Sequence, residues 1–376
     1  MGSKPTDDRL LATFLDLVRI DSPSGEEADC AAYCVSALSD IGFAVTFDDS
    51  AAVTGSNTGN LVATLPGDAP ATLVLSAHLD CVEPCRNVEP VVSEGVGFSA
   101  GETVLGADDK AGLAAIIEAA RRLTEDTAPR PTIRCVLTVQ EEVGLTGAKA
   151  LAPNVARGDL CLVLDAAGMP GGIVVAAPTH YTFTAVFSGV AAHAGVVPEK
   201  GVSALRIAAD AIMRMELGRL DADTTANVGT VHGGTATNVV AAQTAMTGEC
   251  RSLQRARVEA VREAMHGAMV DAAAHAGGSV EIEWTREYEG FQADPDSAQV
   301  RLVSESCVDA GLSPQLMRTG GGSDANIFAG TGMPTLALAC GMEGVHGTTE
   351  QIAVSSLEQL TDLVVAVARR MAGTRS

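Results

Sequence analysis

Three short apolar runs, residues 72–77, 132–139 and 160–164, each stop against side chains that hold protons or cations: His78, the pair Glu141-Glu142, and Asp165. Runs of this length bounded by polar residues read as buried strands rather than helices. Around them, residues 8–20, 26–41 and 111–123 carry apolar residues at helical spacing, with Asp21-Ser22-Pro23-Ser24-Gly25 as a loop. Strands alternating with helices predict an α/β domain with a mainly parallel sheet, and such sheets bind ligands at their strand ends.

From about residue 178 the pattern changes. Residues 181–188 alternate like a half-exposed strand, 202–215 are helical, 227–231 and 244–251 read as strands, 255–274 as a long amphipathic helix and 279–284 as a final strand. The order βαββαβ fits a ferredoxin-like α+β sandwich. Residues 298–310 (helix), 334–340 (strand) and 355–371 (helix) then resume the first style. The expectation is a discontinuous α/β domain, 1–178 and 288–376, interrupted by an inserted domain, 179–287.

Composition narrows the function. With 47% hydrophobic and 19% charged residues the chain is not a disordered one. A net charge of −22 repels polyanions, which excludes a nucleic-acid binder. None of the four lysines, Lys4, Lys110, Lys149 and Lys200, is followed by Ser or Thr, so no phosphate loop is present. No apolar run approaches 18 residues and the first residues lack an apolar segment, so the expectation is a soluble, cytoplasmic protein with no membrane partner. The nine cysteines are odd in number and scattered, as expected for buried thiols rather than disulfides. Cys81 and Cys85, near His78, form a CxxxC pair, for which buried thiols are expected rather than a structural zinc site.

Beyond the three strand ends, Gly106-Ala107-Asp108-Asp109-Lys110-Ala111-Gly112 opens a helix and Gly344-Val345-His346-Gly347 follows the last strand. Singly, the aspartates read as helix caps and the glutamates as a solvated face. Together, two histidines and three carboxylates at strand ends provide two cation sites with one carboxylate free to bridge. If Glu141 and Glu142 lie on an extended segment, alternation points them apart, so that one serves as ligand while the other reaches a bound water.

His78-x-Asp80, the Gly106–Gly112 segment, Glu141-Glu142-Val143-Gly144, Asp165, Ala192-His193-Ala194-Gly195, Gly320-Gly321-Gly322-Ser323-Asp324-Ala325 and Gly344-Val345-His346 occur in this order along the chain. In combination they resemble the co-catalytic zinc peptidase and aminoacylase family, on its peptidase T-like branch. The resemblance implies two zinc ions, with cobalt or manganese as alternatives, held by His78 and Asp165, by Glu142 and His346, and by Asp108 across both. It further implies a cis peptide after Asp108, Glu141 as general base, and Asp80 orienting His78. His193 resembles an oxyanion-stabilising histidine given by a partner subunit, which implies a homodimer through the inserted domain. Asn238, Arg251, Gly321 and Ser323 fall where relatives contact substrate, Arg251 as a carboxylate clamp.

Two departures stand out: the family's HxDT is His78-Leu79-Asp80-Cys81, and its DEE run is Gln140-Glu141-Glu142. Neither removes a ligand. The expected activity is removal of a residue from short peptides, tripeptides above all. An N-acyl amino acid or dipeptide amidohydrolase shares every catalytic residue and stays open; a non-catalytic zinc-binding protein is disfavoured by the presence of Glu141. The related glutamyl-aminopeptidase type is disfavoured because its extra domain lies between the first histidine and the bridging aspartate, only 30 residues apart here.

Overall fold

The computed structural model describes residues 5–373 apart from 153, 154 and 156. It divides into two compact units, Met1–Val175 with Ala293–Arg318 and Ser323–Ser376, and Ala176–Gln292 with Thr319–Gly322.

The first unit is built on a mixed sheet. Its strands lie in the order Ala44–Phe47, Leu61–Leu65, Thr132–Thr138, Thr72–His78, Leu160–Ala166, Thr335–Ala339 and Gly172–Ala177. The central pairs are parallel, whereas both flanks are antiparallel. The expected mainly parallel sheet thus holds only at the centre. Leu61–Leu65 is short and hides only alternate residues, and Gly172–Ala177 begins at a glycine pair that reads as a turn, so neither announces itself as a strand. The helix Ala107–Glu125 packs on the sheet with a face of Ala, Leu and Ile, beside helices Pro5–Val18, Ala28–Ile41 and Val354–Met371. Gly112 lies so close that a Cβ there would meet the Leu164 carbonyl and the Asp109 carboxylate. A smaller sheet joins Pro90–Ser93, Val96–Ser99, Gln351–Ala353 and Met342–Glu343.

The second unit is an antiparallel sheet carrying helices Ala204–Arg214 and Arg255–Ala276. Its strand order is Gly218–Asp221, Thr224–Gly233, Gln243–Ser252, Thr179–Ser188, Ser279–Tyr288. Four of these make the expected βαββαβ sandwich, and Gly218–Asp221 adds an edge hairpin that is too short and polar to read from sequence. Phe183, Phe187, Met246, Met265 and Met269 fill the space between sheet and helices. Among the described residues no helix is long and apolar enough to cross a membrane.

Candidate metal centre and active site

Strand register brings the polar strand ends together. His78 pairs with Thr138, just before the turn that carries Glu141 and Glu142. On its other side Ser76 pairs with Val163, so His78 and Asp165 each follow this pair by the same two residues. At the same edge the helix Ala107–Glu125 begins with non-helical Asp108 and Asp109, joined by a cis peptide. His346 sits in the hairpin loop between Met342–Glu343 and Gln351–Ala353, at φ 63°, a conformation uncommon outside glycine.

His78 Nε2 lies 3.1 Å from Asp108 Oδ1 and 3.8 Å from Asp165 Oδ1. His346 Nε2 lies 3.3 Å from Asp108 Oδ2 and 3.0 Å from Glu142 Oε2. Two donor groups result, His78–Asp108–Asp165 and Asp108–Glu142–His346, with the atoms of each within 4.8 Å of one another. Asp108 belongs to both and turns one oxygen to each histidine.

Asp80 organises what surrounds them. His78 Nδ1 is 2.9 Å from the Asp80 carbonyl, which can only accept, so Nδ1 carries the proton and Nε2 faces the carboxylates. The Asp80 carboxylate accepts from the Glu141 amide at 3.0 Å, the Glu142 amide at 3.3 Å and the Ser24 hydroxyl at 2.6 Å. The two glutamates are therefore not alternating on a strand. The strand ends at Thr138, Gln140 takes φ 52°, and both glutamates lie in a turn whose amides Asp80 holds. This turn, not a pleat, leaves Glu142 in a donor group and Glu141 outside both.

The electrostatics is that of carboxylates short of cations. Burial, then the Asp108 and Glu141 carboxylates, push Asp165 well above the usual carboxylate range. Burial likewise raises Glu141, with Asp324, Glu142 and Asp108 adding to it. Hydrogen bonds with Asp108 and Glu142 lift His346 to about 10. For His78 burial opposes the charged ring, but Asp108 and Asp80 outweigh it and raise its pKa. Lys110, though buried nearby, donates to the Ile20 carbonyl at 2.5 Å. Among the described residues Glu142 Oε1 is buried without a hydrogen-bond partner. Imidazole and carboxylate donors in two groups sharing one aspartate fit two divalent cations, which would replace the ring protons and balance the buried charge.

Other expected residues take varied positions. Asp109 is buried and accepts from the His78 and Gly112 amides, both at 3.2 Å, so its carboxylate serves the backbone. All nine cysteines are free and buried. Burial pushes the Cys81 thiol up to about 12, which keeps it protonated and weakly nucleophilic. Ser323 caps the helix Asp324–Gly330 in a capping box with Asn326. In the second unit His193 is exposed and forms a bridge with Val239, and the adjoining Ala194 amide bonds to the Asn238 carbonyl. Arg251 and Tyr288 are both register partners of His180. The Arg251 guanidinium donates to Glu249 at 2.6 and 2.9 Å and to the Tyr288 hydroxyl at 3.4 Å. Gly321 donates its amide to Thr319 Oγ1 at 3.0 Å. His266 and His275, on the helix Arg255–Ala276, are exposed.

The family model of peptidase family M20/M25/M40 matches residues 74–370, a span that holds every one of these donors. The chain belongs to that family. Two solved structures share the M20/M25/M40 fold over nearly the whole chain. Aminopeptidase PepT from Bacillus cereus is 42% identical, with a TM-score of 0.91, covering 97% of this chain and 99% of that one. A tripeptidase from Staphylococcus aureus is 38% identical, with a TM-score of 0.94, covering 98% and 99%. The uncharacterized protein YqjE of Bacillus subtilis is 42% identical over 360 residues, 96% of this chain and 97% of its own. The protein is thus a hydrolase of the metallopeptidase kind, similar to peptidase T-like members of the M20/M25/M40 family.

Two buried acids around this M20/M25/M40 site escape sequence reasoning. Glu27 accepts from the Gln140 and Gly25 amides, at 3.1 and 2.7 Å, and from the Ser56 hydroxyl, bracing the glutamate turn from behind. Glu350 accepts from the Gly106 and Asp108 amides. Each sits in a polar stretch where an acid reads as exposed; for Glu350 the only signal is its place four residues after His346.

Proposed function

We propose that this peptidase is a dinuclear zinc exopeptidase that removes a residue from short peptides, in the manner of a tripeptide aminopeptidase. Asp108 carries the reading: its two oxygens face different histidines, each with a further carboxylate of its own, while Glu141 stands outside both groups. His78 and Asp165 would hold one zinc and Glu142 and His346 the other, with Asp108 shared; Co2+ or Mn2+ suit the same donors. Two such cations would supply Lewis acidity to an attacking water and to the scissile carbonyl. Glu141, free of ligand duty, accepts the proton of the attacking water and passes it to the leaving amine. Asp80 fixes the His78 tautomer and the Glu141 backbone, so that base and ligands keep their relative places.

The likeness to an aminopeptidase and a tripeptidase supports a short peptide as substrate. Residues 179–287 serve as lid and dimerisation domain of a cytoplasmic homodimer, in which His193 of a second copy stabilises the oxyanion. Asn238, Arg251, Gly321 and Ser323 contact the substrate, Arg251 through a carboxylate.

A hydrolysis panel of free tripeptides, dipeptides and N-acetyl amino acids, run on the zinc-reconstituted protein, tests the reading. Preference for tripeptides with a free amine is expected. Preference for N-acetyl amino acids would overturn it in favour of an amidohydrolase.

A further inference from the structure

We infer that Glu350 is a positioning residue that fixes Asp108 between the two donor groups and so sets metal affinity at both. The inference rests on the metal reading above. The Glu350 side chain is buried at 2% exposure, and its two oxygens are divided between two amides: Oε2 accepts from Gly106 N at 2.7 Å and Oε1 from Asp108 N at 2.9 Å. The helix Ala107–Glu125 has no side-chain cap of its own at Gly106, whose φ is 74°. Asp108 and Asp109 are non-helical, so the amides of Gly106 and Asp108 lie ahead of the regular helical turns and find no acceptor within them. Glu350 supplies both acceptors from a distant part of the chain, as a charge-assisted pair of hydrogen bonds.

The loop that carries it is itself constrained. Gly347 N donates to Gly344 O at 3.2 Å and Glu350 N to Gly347 O at 3.0 Å, two successive turns inside the hairpin that ends in Gln351–Ala353. Gly344 has φ 67°, and a Cβ there would press on the Thr349 carbonyl at 3.1 Å. One short loop therefore reaches Asp108 twice, with His346 at its carboxylate and Glu350 at its backbone amide. Because Asp108 is shared, a change in its placement reaches His78 and Asp165 as well as Glu142 and His346. His346 differs in this respect, since it belongs to one donor group alone.

The test is zinc affinity, measured by competition with a chelator on metal-stripped wild type, Glu350→Gln, Glu350→Ala and His346→Ala, with thermal melts of each metal-free protein. Glu350→Gln keeps the size of the side chain but turns an NH2 toward an amide donor, and guards against a failure of the alanine variant to fold. Expected are two zinc ions on wild type, both weakened at least tenfold in each Glu350 variant, and one of the two weakened in His346→Ala. Glu350 variants whose zinc curves superpose on wild type would overturn the inference, including when their metal-free melts are lowered, for that marks a merely structural role. A wild type that takes up no zinc would overturn the metal reading itself.

Discussion

Glu141 and Glu142 are chemically identical neighbours, and what separates their roles is where the turn leaves each carboxylate. Glu142 meets His346, whereas Glu141 stays buried outside both donor groups, raised by burial and by the acids around it. Glu141→Ala should therefore keep the zinc content of wild type while turnover falls about 10²–10⁴-fold, the usual worth of a positioned base; elemental analysis beside tripeptide kinetics reads both. Glu249 offers a prediction through pH. Its hydrogen bond with His180, then that with Arg251, overcomes burial and lowers its pKa from 4.5 to about 2. A depressed carboxylate stabilises the fold above its unfolded pKa and stops doing so as pH falls through the folded one. The melting-temperature gap between wild type and Glu249→Gln should be full above pH 5 and close as pH falls from about 4.5 towards 2. A gap that widens in acid would contradict this. At this scale the sequence shows His78, Asp165 and the glutamate pair because each interrupts an apolar run. Glu27 and Glu350 are illegible because most of their partners are backbone amides, which any sequence supplies, with the Ser56 hydroxyl added at Glu27.

The elements position these residues through close packing. Gly112 lets the helix Ala107–Glu125 approach the strand that ends beside Asp165, where a Cβ would meet the Leu164 carbonyl and the Asp109 carboxylate. Gly112→Ala should cost about 1–3 kcal/mol as overpacking and lower the melting temperature accordingly. Because it pushes Asp108 away from Asp165, it should weaken zinc binding too, which calorimetric titration reads. The central strands were readable because burial on both faces makes them continuous apolar runs. Leu61–Leu65 and Gly172–Ala177 on the flanks were not, since half-buried alternation and a leading glycine pair weaken that signal. The glutamate turn was misjudged for a related reason: Gln140 adopts a positive φ that nothing in its side chain requires.

At the scale of the molecule, 47 acidic against 25 basic residues give a net charge of −22, and only three of the acids, Asp108, Glu142 and Asp165, belong to the donor groups. The remainder keeps polyanions away. If His193 acts across a homodimer, a mixture of the inactive His193→Ala and Glu141→Ala variants should regain partial activity on subunit exchange, because one mixed site then holds both residues. No recovery despite proven exchange would count against that role. The central claim is that two cations sharing Asp108, with Glu141 as a free base, make the peptidase. Its most direct test is to titrate the metal-stripped protein with zinc while following tripeptide hydrolysis. Activity that reaches its plateau at two equivalents per chain is the predicted result; a plateau at one equivalent, or hydrolysis that does not depend on zinc, would contradict it.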